Sequence, residues 1–214
     1  MPASLASIRD IAKVDLREAG SITWTDAQVE RAVGVALREY GEASPQRKQV
    51  DYAVPAASGR TFTPSVALGA VDYDALIEIG SIEYPLDLWP PEYLRFDRWG
   101  DKVTVHSDAK IESQTVRIRY ALAHTLTLAT STVPTRDAEL LALGAAGFAL
   151  AQVSAGTYAS LTTHENDAQR AQALAQTRID AFRVGCRRLA AVVRVGAMYR
   201  PSEPFVGRDI VQGP

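Results

Sequence analysis

Residues 23–45 read TWTDAQVERAVGVALREYGEASP, and this stretch sets the frame for the rest of the chain. Thr25 stands where a helix N-cap is expected, its hydroxyl free to accept from an orphan backbone N–H. Gln28, three residues on, completes a capping box, while Trp24 before the cap and Val29 after it form the pair of a hydrophobic staple. Val29, Ala32, Val33, Ala36, Leu37 and Tyr40 then recur at helical spacing and define one apolar face. Gly41 and Pro45 are the expected stop signals. The stretch holds no reactive group. It fixes the entry angle of a helix and supplies that helix with one face to bury.

On the N-terminal side, Leu5, Ile8, Ala12 and Leu16 predict a first helix over residues 4–18, with Gly20 as its stop. On the C-terminal side the period changes to two from about residue 48. Val50, Tyr52 and Val54 alternate, and SGRTFTPS reads as loop or short edge strand. ALIEIGSIEYP predicts a strand bent at Gly80. YLRFDRWGDKVTVHS predicts two strands joined at Gly100-Asp101, and QTVRIRYALA predicts another, with Val116, Ile118 and Tyr120 facing opposite to Arg117 and Arg119. About five short strands form a small antiparallel sheet, sandwich or partial barrel.

Helical period returns at Thr135 and runs to about residue 158, through the small residues Ala142, Gly144, Ala145, Ala146, Gly147 and Ala149. Each glycine weakens an isolated helix by about 1 kcal/mol relative to alanine, so close packing must offset them. A last helix opens near Asn166, with Gln169 as its capping partner. It carries Ala175, Ile179, Phe182, Cys186, Leu189 and Val193 at alternating steps of four and three, a seam that pairs with the preceding helix in an antiparallel hairpin. After Val195 come Pro201, Pro204 and Pro214, which rule out a helix. The expected class is α+β: a bundle of about four helices with an inserted small antiparallel β-domain and an extended tail. The divisions are 1–47, 48–130, 131–195 and 196–214.

A chain of 214 residues buries a sizeable core without staples. Its single cysteine, Cys186, excludes an internal disulfide framework and a multi-cysteine zinc site, which makes a reducing compartment the default. The first twenty residues lack the apolar run of a secretory leader. The apolar stretch 140–153 is shorter than the ~20 residues of a membrane span, so no membrane association is expected. Net charge is -2, unevenly spread: residues 168–214 hold eight arginines against Asp180, Glu203 and Asp209, which leaves residues 1–167 acidic. An acidic body with a basic last helix suits a negatively charged partner or a neighbouring copy.

Catalytic signatures are scarce. There is no phosphate-cradling G-x-x-x-x-G-K-[ST], no dinucleotide G-x-G-x-x-G after a strand, no H-E-x-x-H and no G-x-S-x-G. His106, His124 and His164 are scattered without metal-ligand spacing. No cofactor is expected. Cys186 falls on the apolar seam, where a thiol behaves as a small hydrophobe. Asp72, Asp74 and Glu78 are the carboxylates a hydrolase would use, with a polar turn before a strand as the simpler reading. Trp89, Tyr93, Phe96 and Trp99 are expected at a core corner of the sheet, the alternative being a carbohydrate or peptide groove built from Trp89, Tyr93 and Trp99. Arg95, Arg98, Arg117 and Arg119 flank these aromatics, but Asp97, Asp101 and Asp108 weaken a single-strand nucleic-acid site.

The stretch ITWTDAQVERAVGVALREYGEASP resembles the second helix of tailed-phage head-to-tail adaptor (connector) proteins, in which a W-T-D or W-S-D start and an A-L-R-E-Y helix are frequent. The matching residues are Trp24, Thr25, Asp26, Ala36, Leu37, Arg38, Glu39 and Tyr40. VRIRYALAHTL followed by VPTRDAELLALGAAGFAL is similar to the family's last strand, with its Y-x-x-x-H element, and to its third helix. The resemblance spans residues 1–160 in outline and is sharpest over about 20. The long β-insert departs from compact members. The resemblance implies a non-enzymatic protein of the virion neck, made in the bacterial host cytoplasm. It implies a ring, commonly dodecameric, of adaptor subunits joining the portal protein to a downstream tail or stopper protein. DNA passes through the lumen without sequence-specific binding. The tail's composition and the basic helix mark the expected partner-binding residues: Arg183, Arg187, Arg194, Met198, Tyr199, Arg200, Pro201, Phe205 and Ile210.

Overall fold

The computed structural model describes residues 2–17, 24–106, 110–159 and 165–196. Over these residues it is a mixed α+β fold of six helices and a curled, antiparallel six-stranded sheet. Helices α1 (Leu5–Arg17) and α2 (Asp26–Ala43) come first, followed by strands β1 (Gln46–Ala53) and β2 (Thr61–Phe62). Two short helices, α3 (Pro64–Leu68) and α4 (Ala70–Asp74), lead into β3 (Leu76–Glu83), β4 (Tyr93–Trp99), β5 (Lys102–His106) and β6 (Thr115–Leu122). The long helices α5 (Ala138–Ala159) and α6 (Glu165–Gly196) follow.

Helix α2 begins as its sequence dictates. The Thr25 hydroxyl accepts from the Gln28 N–H, and the Gln28 side-chain oxygen accepts from the Thr25 N–H at 3.0 Å. Trp24 packs against the helical core that Val29, Ala32, Val33, Ala36 and Tyr40 enter. Asp26, in the first turn, complements the helix dipole and is also ion-paired to Lys13 and Arg9 of α1. The helix does not stop at Gly41. That residue is buried within it, and α2 runs to Ala43, because Pro45 is what cannot continue the ladder. The N-terminal helix ends at Arg17; its expected stop, Gly20, lies outside the described residues.

One hydrophobic cluster is drawn from α1, α2, α5 and α6, and a second from the strands with α3. In the first, α5 and α6 run antiparallel with glycines at the contacts. A Cβ on Gly144 would lie 2.8 Å from the ring of Phe182, and one on Gly147 would lie 2.9 Å from Ile179 Cγ1. The seam Ala175, Ile179, Phe182 and Cys186 is buried as expected; the side chain of Val193 is outside the described set. Helix α6 starts at Glu165, so Asn166 falls in its first turn rather than before it.

Strand order is β1-β6-β3-β4-β5-β2, antiparallel throughout. The two ends of that order approach each other, since the rings of Tyr52 on β1 and Phe62 on β2 stand 5.5 Å apart, and this curls the sheet. The expected bend at Gly80 is a register shift between Ile79 and Ser81. The expected turn at Gly100-Asp101 is the two-residue link of β4 and β5, with Gly100 at φ +59. Val116, Ile118 and Tyr120 face the β core while Arg117 and Arg119 face outward. The run 64–74, which contains the expected polar turn, forms α3 and α4 instead: Pro64 occupies a first-turn position, and Pro64 and Ala67 supply buried contacts for a single helical turn.

Helices and sheet meet at the end of α2. The Tyr40 hydroxyl donates to Asp137 Oδ2 at 2.7 Å, both residues being buried. Beside it the His124 ring lies 5.1 Å from that of Tyr40. Its Nε2 sits 2.8 Å from the Ser44 carbonyl oxygen, and its Nδ1 lies within hydrogen-bond distance of Thr132. The first histidine after β6 thus pins the strand's exit to the C-terminus of α2.

Candidate partner-binding surface

The arginines of α6 divide by what they touch. Arg178 points inward, its Nη2 donating to the Asp15 carbonyl at 2.8 Å, where a cation complements the C-terminal end of α1. Arg183 forms a two-point pair with Glu39 of α2, Nε to Oε2 and Nη2 to Oε1, both at 3.0 Å. The hydrogen bonds that Arg183 donates to Glu39 hold its guanidinium pKa above the ordinary value. Both partners retain solvent contact, so this is a surface pair of modest worth. Arg183 therefore braces α6 on α2 within the chain. Arg187 and Arg188 are exposed one turn further on, beside Val184, a valine 44% exposed. Arg194 is on α6, but its side chain lies outside the described residues, as do Met198, Tyr199, Arg200, Pro201, Phe205 and Ile210 altogether.

The outward face of the sheet carries a second charged cluster. Glu83 is buried, with Oε2 2.6 Å from Arg119 Nη2 and Oε1 3.8 Å from Arg117 Nη1. Arg117 also holds Asp51 at 2.7 Å and Asp87 at 3.1 Å. Arg119 reaches the Tyr93 hydroxyl at 2.9 Å, its guanidinium lying 5.5 Å from the ring centroid. Hydrogen bonding to Asp51, then to Asp87, raises the Arg117 pKa further above its ordinary value. These contacts tie β1, β3, β6 and the β3–β4 loop together.

The carboxylates considered for hydrolysis are differently occupied. Asp72 accepts two contacts from Lys48 Nζ, at 2.9 and 3.1 Å, and one from the Tyr120 hydroxyl at 2.8 Å. The Lys48 contact first, and then that of Tyr120, holds the Asp72 carboxyl below its usual range, while burial and the bond to Asp72 push Tyr120 up to about 12. Asp74 and Glu78 are exposed. His106 pairs with Asp97 at 2.8 Å, and His124 is held at the junction. Among the described residues no group of three His, Cys, Asp or Glu side chains is placed to hold a metal ion. Burial pushes the Cys186 thiol up to about 11, keeping it protonated at neutral pH. Among the described residues, no helix is long and apolar enough to cross a membrane.

One expectation is corrected. Of the four aromatics placed at a core corner, Phe96 packs into the β core and Tyr93 is half-buried against Arg119. Trp89 and Trp99 are 85% and 89% exposed. The reason is position. Trp89 falls in the β3–β4 loop and Trp99 at the tip of the β4–β5 hairpin, neither in the interior of a strand. They flank opposite ends of β4, a seven-residue strand roughly 23 Å long, so the two rings do not share one platform. No family model matches this sequence, and no curated protein matches it.

Proposed function

We infer that the chain is a head-to-tail adaptor of a tailed-bacteriophage virion, a non-enzymatic ring subunit that joins the portal to the tail and lets DNA pass. The observation that carries the reading is the chain order of the fold, in which a small antiparallel sheet interrupts a set of long helices. It is joined by the W-T-D-capped helix and the His124 element, the motifs that bear the resemblance. The helical bundle is the part that packs against portal and neighbouring subunits, and the sheet is the insert. Arg187, Arg188 and Val184 offer exposed cationic and apolar surface on α6 for a neighbouring subunit or the portal. Arg194, Met198, Tyr199, Arg200, Pro201, Phe205 and Ile210 complete the proposed set of partner-binding residues. Arg183 contributes by holding α6 in place. Head-to-tail contacts between unlike surfaces close into a ring when the rotation permits. No cofactor is required. The partners are portal, neighbouring adaptors and a downstream tail or stopper protein, at the virion neck.

The direct test mixes the purified protein with the portal protein of the same virion and follows the mixture by sedimentation and electron microscopy. A ring seated on the portal is the expected result; the absence of any complex across salt conditions would sink the reading. A second reading, a carbohydrate- or peptide-binding module, rests on the exposure of Trp99 at the β4–β5 hairpin tip. Quenching of tryptophan fluorescence by a glycan or peptide panel, lost in Trp99→Ala, would support it over the adaptor.

A further inference from the structure

The long helices and the sheet keep separate interiors. The helical cluster and the sheet cluster have no residue in common, and the half-buried side chains packed on each are different too. Among the described residues no long helix lies along a strand. Relative motion is the ordinary expectation for two packed units unless a large apolar interface joins them.

The chain passes between them at two places. It leaves α2 at Ser44 and enters β1 through Pro45; it leaves β6 at Leu122 and returns through Ala123 and His124. The crossings stand side by side, because Gln46 is paired with Leu122 at the root of the β1–β6 ladder. Beyond His124 the chain already belongs to the helical side. Leu126 packs on the helical cluster, Val133 is part of it, and the Ala3 N–H donates to the Val133 carbonyl.

His124 spans the two crossings. Its Nε2 lies 2.8 Å from the Ser44 carbonyl oxygen. A carbonyl oxygen only accepts, so Nε2 carries the proton. In that tautomer Nδ1 is an acceptor, and the Thr132 hydroxyl stands 3.0 Å away as its donor. The ring also leans on that of Tyr40, with 5.1 Å between centroids, and the Tyr40 hydroxyl is itself held by buried Asp137. Both ring nitrogens are thus fixed by groups on the helical side, and with them the point at which β6 ends.

We propose that the Ser44–Pro45 and Ala123–His124 crossings form a hinge on which the six-stranded sheet tilts as one body, and that His124 is the latch that holds the tilt seen in the structure. Hinges of this kind are a few element-terminal residues that absorb the backbone change while the packed units move whole. The β1–β6 ladder is the lever. Its eight residues per strand run about 26 Å from the root to Ala53 and Thr115, so a tilt of about 20° carries the far end about 9 Å. A partner that grips the sheet reorients it by opening the contacts of one side chain, with neither interior exposed.

The test measures distances between spin labels on the free, full-length protein, with Cys186 replaced by alanine so that it takes no label. Thr115→Cys at the far end of the ladder is paired in turn with Arg31→Cys on α2 and Gln172→Cys on α6, all three positions being exposed. The parent should give narrow distance distributions. His124→Ala should broaden at least one of them about twofold or more, while amide exchange at Ile118 and Phe182 stays as slow as in the parent. His124→Gln, whose amide nitrogen reaches the position of Nε2, should restore the narrow distribution; His124→Asn, whose amide stops at the level of Nδ1, should not. Equal widths in the parent and His124→Ala overturn the proposal, whether both are narrow or both broad. Loss of protection at Ile118 and Phe182 together in His124→Ala places the ring in one shared interior and overturns the hinge. No portal takes part, so the outcome is independent of the adaptor reading.

Discussion

Replacing Gly147 with alanine tests a close contact between α5 and α6, one at which the added Cβ would meet backbone. Two effects oppose each other. Alanine is favoured over glycine in a helix interior by about 1 kcal/mol. Against that, the new Cβ would lie 2.9 Å from Ile179 Cγ1, 3.1 Å from the Ile179 backbone nitrogen and 3.2 Å from Arg178 Cβ. The Ile179 Cγ1 methylene can shift by a change of side-chain torsion, but the backbone nitrogen moves only if α6 moves, and α6 is held by buried Phe182 and by the Arg178 contact to α1. Overpacking of this kind costs about 1–3 kcal/mol. The net expectation is a loss of up to about 2 kcal/mol, which for a chain of this size lowers the thermal midpoint by up to roughly 8 °C. Gly34 is the control. It sits in α2, where an added Cβ would meet nothing within 4 Å, so Gly34→Ala should stabilise by about 0.4–1 kcal/mol. Thermal and urea unfolding followed by circular dichroism would measure both. If Gly147→Ala stabilises as much as Gly34→Ala does, the two helices are not in contact at Gly147 and the reasoning about small residues fails.

Tyr40→Phe leaves the buried Asp137 without its hydroxyl donor and should cost about 1–3 kcal/mol in urea unfolding; a change below ~0.5 would mean that the carboxylate finds another partner. Asp72 has a depressed folded-state pKa, so its contribution is present above the ordinary carboxylate value near ~3.9 and disappears as pH falls through the folded value. Asp72→Asn should therefore differ from the parent in stability at pH 7 and converge with it in acid, and a constant difference across that range would refute the assignment. Tyr120 titrates up near 12, so its contribution is complete below about 10 and is lost as pH rises through the raised value; Tyr120→Phe should remove that alkaline limb from the stability profile. The double substitution Arg187→Glu with Arg188→Glu should leave the unfolding midpoint nearly unchanged, since both side chains are exposed, yet weaken the complex with portal in sedimentation; unaltered binding would remove these arginines from the interface.

The helical elements were legible because their signals are local. A capping box needs only Thr25 and Gln28, and the seam of α6 repeats within the helix itself. The strands were legible for a similar reason: alternation in β6 separates Tyr120 from Arg119 without reference to any neighbour. What the sequence did not disclose depends on pairing across long separations. Strand order places β6 between β1 and β3, and Arg117 joins Asp51, Glu83 and Asp87, contacts that no spacing rule connects. Helices α3 and α4 escaped because one turn is too short for a period, and the buried contacts of α3 lie with the sheet.

The misplaced tryptophans mark the same limit from the other side. Large aromatics are favoured inside small sheets, and Phe96 follows that rule because its strand position faces the core. Trp99 belongs to the same strand but stands at its last position, paired with Lys102 across the hairpin tip, beyond the reach of the curled sheet. Composition says that a residue can be buried; register and distance from the strand end decide whether it is. The same logic gives Arg183 its place. Its charge suited a partner, but its height on α6 puts it level with Glu39, and the nearest carboxylate of its own chain takes the guanidinium. Surface for a partner is what remains after such internal pairs are made, which on α6 leaves Arg187, Arg188 and Val184 as its described candidates.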